Sequence, residues 1–204
     1  MDAFLAQARS LRTEQLERTA DKMGLAVGAI EKDFWVCWVL KELFHSAAGP
    51  RLTFKGGTSL SKCWGLIERF SEDVDLVVDR DALGFAGDQQ TILFTYEPIV
   101  GSKSYLRPVV KMEFGARSDT EPNQVRTISP YVSAVLSLVV GDSAFTVRAV
   151  DAERTRRLNV HSSQARCGSC PRWTGCRPGA QTSMRCGTRC SSGNHHRSTK
   201  LCYA

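Results

Sequence analysis

The 204-residue sequence predicts an α+β fold, with helices at the front and a mixed sheet behind. Three observations carry that reading. Apolar residues recur at helical spacing up to residue 44, short alternating or β-branched runs take over between residues 52 and 150, and neither period continues past Arg156.

From Phe4 to Met23, the residues Leu5, Ala8, Leu11 and Leu16 follow a helical period, and Gly24 and Gly28 mark a break. Ile30, Phe34, Cys37, Trp38 and Phe44 then recur three and four residues apart, as on the buried stripe of an amphipathic helix. Their rings read as core packing. Ala48-Gly49-Pro50 ends this helix, and Leu52-Thr53-Phe54 is a short strand entering a glycine turn. A second strand carries Asp73 and Asp75 and finishes on Leu76-Val77-Val78, apolar enough to be buried on both faces. Residues 79–90 are polar and glycine-containing, so a loop is expected, followed by a strand over Thr91–Tyr96. In Val109–Phe114, Val110, Met112 and Phe114 share one face, and Val109, Lys111 and Glu113 the other. Residues 115–129 read as polar loop, residues 131–140 as an apolar, β-branched run, and residues 144–150 alternate again.

The net charge of +6 conceals two unlike parts. Residues 1–155 carry 18 Lys/Arg against all 21 Asp/Glu, whereas residues 156–204 carry nine Lys/Arg and no acid. Cysteine divides the same way, with Cys37 and Cys63 in the first part and six in the second. No apolar run of membrane-spanning length is present, and Met1-Asp2-Ala3-Phe4 does not open a signal peptide. A cytoplasmic protein with reduced cysteines is expected.

The chemistry concentrates in Lys55-Gly56-Gly57-Thr58 through Lys62, followed by Arg69, Ser71, Asp73 and Asp75. Glycines let a backbone approach phosphate closely, and a helix start offers unpaired N–H groups to it. Asp73 and Asp75, two apart on a strand, share a face and suit a Mg²⁺ ion that carries substrate phosphates. Glu113 is a candidate third carboxylate or a solvent-facing residue of its own strand. A glycine turn alone is often only a tight turn, and an acidic pair alone is often solvated surface. Together they are the minimum equipment for phosphoryl or nucleotidyl transfer.

Gly56-Gly57-Thr58-x-Leu60-x-Lys62, then Arg69-x-Ser71-x-Asp73-x-Asp75-Leu76, resembles the signature of the AbiEii/AbiGii-type nucleotidyltransferase toxins. Glu31-Lys32-Asp33-Phe34-Trp35-Val36 resembles the segment that precedes that signature, and residues 110–119 resemble a later strand and loop. The resemblance implies a minimal nucleotidyltransferase fold over residues 1–155, related to the polymerase-β superfamily. It implies a nucleoside triphosphate held by Lys55, Gly56, Gly57 and Thr58, with Lys62 neutralising its charge. Asp73 and Asp75 would bind Mg²⁺, Glu113 would complete a catalytic set with them, and Arg69 and Ser71 would support the acid strand. An RNA acceptor, including tRNA, and a cognate antitoxin protein are the implied partners. The chain departs from the family pattern after Glu153-Arg154-Thr155, where a motif continuing with aromatic residues and a lysine is replaced by Arg156-Arg157-Leu158-Asn159. A catalytically inactive remnant that still binds nucleotide or antitoxin is therefore an alternative.

Residues 156–204 hold few apolar side chains and read as a disordered, basic, Cys-rich tail. Their bias to Arg, Cys, Ser, Gly, Trp and Pro is that of GC-rich DNA read out of frame, which points to a frameshift or fusion scar. The competing reading is a zinc-containing RNA-binding segment. Cys167-x₂-Cys170 and Cys186-x₃-Cys190 approach a four-cysteine zinc spacing among basic residues, with Cys176 and Cys202 left over.

Overall fold

The computed structural model describes residues 1–67, 73–79, 89–100, 106–116, 120–133, 135 and 143–157. The chain divides into Met1–Gly168 and Ser169–Ala204, and every described residue belongs to the first unit. The expected disordered tail and its cysteine spacing lie outside the described residues, apart from the helical residues 152–157 at its threshold.

Three helices lead: α1 Asp2–Leu5, α2 Arg9–Met23 and α3 Val27–His45. The single helix expected from Phe4 to Met23 is broken between α1 and α2. Gly24 ends α2 in the left-handed conformation (φ 65°), donating its N–H back to Ala20, a conformation that favours glycine. Gly28, expected to help mark the break, lies inside α3. The strands are β1 Leu52–Lys55, β2 Asp73–Val78, β3 Gln89–Thr95, β4 Val109–Gly115, β5 Asn123–Ile128 and β6 Phe145–Val150, with α4 Gly56–Lys62 directly after β1. They form one mixed sheet in the order β3-β4-β2-β1-β6-β5. β1 runs antiparallel to β2 and parallel to β6, β2 runs parallel to β4, and both edge strands are antiparallel to their neighbours. This is the α+β arrangement expected.

Two expectations are corrected. Residues 115–129 are not all loop, because β5 forms within them. Its burial pattern is mostly exposed, as suits an edge strand that pairs on one side only, and polar residues hid it. Residues 131–133 and 135 are helical rather than extended.

Register sorts the side chains into two faces. Leu52 and Phe54, Val74, Leu76 and Val78, and Val110, Met112 and Phe114 fall on one face and are at most 8% exposed. Ile30, Phe34, Cys37 and Leu40 of α3 join them in the core, each at most 1% exposed. Trp35 stacks on Tyr96 at 5.2 Å and Trp38 on Phe94 at 5.5 Å, so the α3 aromatics are core, as read. Lys55, Asp73, Asp75, Lys111 and Glu113 alternate with these apolar residues and share the other face.

α3 also buries three consecutive charged residues, each spent on a different segment. Glu31 accepts backbone N–H bonds from Ile99 (2.5 Å) and Val100 (3.3 Å). Lys32 donates to the Arg107 carbonyl at 3.0 Å. Asp33 accepts the Tyr131 N–H at 2.7 Å and pairs with the Lys62 ammonium at 2.5 Å. The two side chains of that ion pair are 2% and 6% exposed. Lys62 further donates to the Ser129 carbonyl at 3.2 Å and lies 3.6 Å from the centre of the Tyr131 ring. Burial alone would lower the Lys62 pKa, but the Asp33 carboxylate holds it above its ordinary value, while burial raises the Asp33 pKa against the pull of Lys62.

Breaking one side of such a pair leaves an uncompensated buried charge. Lys62→Met alone is expected to cost about 3–5 kcal/mol in urea denaturation, with most of the loss recovered by combining it with Asp33→Leu. A single variant within about 1 kcal/mol of the parent would contradict this description of the pair.

Candidate active site

The site is assembled where β1 hands over to α4. Lys55 is the N-cap of α4, and Gly56 takes φ 79°, a backbone conformation that side-chain-bearing residues rarely adopt. Its lack of a side chain has a second use. A Cβ on Gly56 would lie 1.9 Å from Asp75 Oδ2, so the turn passes directly against that carboxylate. Gly57 follows in the first turn of the helix, half-buried. Thr58 is 2% exposed and donates its hydroxyl to the Asp73 carbonyl at 2.5 Å, which ties α4 to the start of β2.

Strand register sets the rest. Lys55, Asp75, Glu113 and Thr91 stand opposite one another across β1, β2, β4 and β3. The next row on the same face is Asp73, Lys111 and Leu93. The sequence pattern placed Asp73 and Asp75 together and Glu113 on a neighbouring strand, and the sheet brings all three to one patch. Asp73 is exposed, and Asp75 and Glu113 are half-buried.

Burial, then the adjacent Glu113 charge, raises the Asp75 pKa to about 6, and Lys55 opposes the shift. Asp75 and Glu113 stand directly opposite each other on neighbouring parallel strands, so the Glu113 charge disfavours ionisation of Asp75. Glu113 makes an ion pair with Lys111 besides.

Among the described residues, no three His, Cys, Asp or Glu side chains form a ready-made metal cage. The donors nevertheless fit a hard cation. They are oxygen-only, and Mg²⁺ is commonly held by one or two carboxylates together with substrate phosphates rather than by an all-protein cage. A carboxyl group whose pKa is raised also holds a proton that a metal can displace.

The remaining candidates fall elsewhere. Arg69 and Ser71 lie outside the described residues. Lys62 is committed to Asp33 inside the protein, so its charge is consumed there. Two residues that matter were not singled out from the sequence. Asp33 sits three residues after Ile30 and four before Cys37, on the apolar stripe, and a charge at that position was the available signal. Lys111 shares the face of Glu113 by simple alternation.

The fold resembles that of a solved structure, MenT4, the nucleotidyltransferase toxin of Mycobacterium tuberculosis H37Rv. The TM-score is 0.50 at 23% identity, over 77% of this chain and 59% of that one. The likeness shows a nucleotidyltransferase-toxin fold, and this chain spans about three-fifths of the matched chain's length. Residues 38–90 match the family described as nucleotidyl transferase AbiEii toxin, type IV TA system. This segment carries the glycine turn and both aspartates. No curated protein matches the chain.

Because folding raises the Asp75 pKa, the folded state keeps a proton that the unfolded chain has already released. The resulting stabilisation is full below pH ~4 and is lost as pH rises through about 6, by an amount of about 2–3 kcal/mol. In EDTA above pH 7, Asp75→Asn is therefore expected to match or exceed the parent in urea denaturation. A variant clearly less stable than the parent at that pH would contradict the strained-carboxylate description.

Proposed function

We propose that this protein is a nucleotidyltransferase of the AbiEii toxin type, moving a nucleoside monophosphate from a nucleoside triphosphate to an acceptor hydroxyl. The acceptor oxygen bonds to the α-phosphorus, the bond to the β-phosphate breaks, and pyrophosphate leaves. One observation carries the reading: the Gly56 turn runs against Asp75, which itself stands beside Glu113 on the next strand. A phosphate cradled by the turn would thus be within reach of a carboxylate-held cation. Bound Mg²⁺ would supply charge neutralisation for the phosphates, the main requirement of phosphoryl-transfer chemistry.

In this reading Gly56 and Gly57 admit the triphosphate, and Lys55 faces it from the end of β1. Thr58 fixes the turn through β2, and Asp73 and Asp75 hold the metal. Glu113 stands beside Asp75 and would orient the acceptor. RNA, tRNA included, is the proposed acceptor, and a cognate antitoxin the proposed protein partner. The antitoxin is suggested by the toxin–antitoxin description of the family that residues 38–90 match, and the RNA acceptor by the resemblance of the sequence motifs. No helix among the described residues is long and apolar enough to cross a membrane, and the cytoplasm, where nucleoside triphosphates and RNA meet, is the proposed location. A second reading, metal–nucleotide binding without turnover, draws on Asp73, Asp75 and Glu113 sharing one face without forming a three-ligand metal cage among the described residues.

Incubating the protein with each α-labelled nucleoside triphosphate, Mg²⁺ and total RNA separates the two. The enzyme reading expects label in RNA, reduced at least ~100-fold by Asp75→Asn or Asp73→Ala. Nucleotide binding with no Asp-dependent transfer would overturn it in favour of binding alone.

A further inference from the structure

Three carboxylates and two lysines share the site face. Lys55 is at the mouth of the turn, whereas Lys111 stands opposite Asp73 and forms an ion pair with Glu113 from two residues away on β4. Its side chain is 41% exposed, so the ammonium is at the surface and its tether is long enough to move. Asp73 and Asp75 both lie within electrostatic range of it. Lys62, the cation that the sequence pattern offers for the triphosphate, is 6% exposed and held by Asp33. The charge-neutralising role is therefore open, and Lys111 occupies the right face for it.

We infer that Lys111 is the site's exchangeable cation: it occupies Glu113 when the site is empty and turns to the phosphates when a metal–triphosphate enters. This inference rests on the nucleotidyltransferase reading and assigns one of its phosphate contacts. A positive charge on Glu113 opposes a second cation nearby, so Lys111 works against bare Mg²⁺. Once the phosphates arrive, their negative charge exceeds what the metal neutralises, and the ammonium gains a better partner than the single carboxylate it leaves. Lys111 thus makes the site selective for metal and phosphate together over metal alone. The row geometry suits this, because Lys111 is rooted one row away from the Asp75–Glu113 pair and reaches Glu113 only through its long side chain.

The test uses two probes that are independent of base identity, Mg²⁺ alone and magnesium tripolyphosphate, titrated calorimetrically at pH 7.5. Lys111→Met is expected to tighten bare Mg²⁺ about threefold or more and to weaken magnesium tripolyphosphate about tenfold. Lys111→Arg, which keeps the charge, should stay within about twofold of the parent for both probes. A merely structural role would shift both affinities in the same direction. Such a parallel shift, or no shift with either probe, overturns the inference while leaving the wider reading intact. A parent protein that binds neither probe overturns the nucleotidyltransferase reading, and this inference falls with it. Urea denaturation of each variant confirms that the exposed substitution leaves the fold in place.

Discussion

The ion pair between Asp33 and Lys62 is the constraint on which the site depends. It joins the middle of α3 to the last turn of α4, and through Ser129 and the Tyr131 N–H and ring it fixes the chain beyond β5 as well. α3 lies on the apolar face of the sheet, and α4 begins with the glycine turn. Fixing one helix against the other therefore fixes where that turn meets Asp75. The hydroxyl of Thr58 on the Asp73 carbonyl secures the opposite end of α4. A seven-residue helix is too short to persist by its own hydrogen bonds, so these two anchors determine its position. Such a pair contributes little net stability over an apolar replacement, because both charges must be desolvated. What it supplies here is a defined geometry between two helices and a loop.

The same economy explains the carboxylates. Asp75 and Glu113 are held side by side, a costly arrangement of two carboxylates in a partly buried setting. An isolated structural sheet has no use for it. A site that must receive a cation does, because relief of that repulsion then contributes to binding. The nearby lysines moderate the repulsion without removing it: Lys55 stands opposite Asp75, and Lys111 is paired with Glu113. In the proposed function, the positive charge that completes the patch is that of a bound cation.

Much of this was legible in the sequence because it rests on short-range periodicity. Two-residue alternation put Asp73 with Asp75 and Glu113 with Lys111, and the apolar runs located β2, β4 and β6. Register between strands is a long-range property, and only the sheet shows Asp75 directly opposite Glu113. β5 escaped because an edge strand with exposed side chains looks like a loop. The helical residues after Pro130 escaped because an apolar, β-branched run does not declare its period over a few residues. Lys62 was read for its charge near a glycine turn, and its partner lies 29 residues upstream on a helix otherwise patterned as core. The AbiEii match over residues 38–90 agrees with the signature read from Gly56 to Leu76.

The central claim is that a divalent cation displaces the proton that burial and the neighbouring Glu113 charge favour on Asp75. Mg²⁺ binding measured calorimetrically in buffers of different ionisation enthalpy reads this directly, because the buffer dependence reports the protons released. The account predicts release of about half a proton per Mg²⁺ near pH 6, rising toward one below that pH, declining as pH rises toward 8, and absent in Asp75→Asn. Mg²⁺ binding with no proton release at pH 6, or release unchanged in Asp75→Asn, would contradict it.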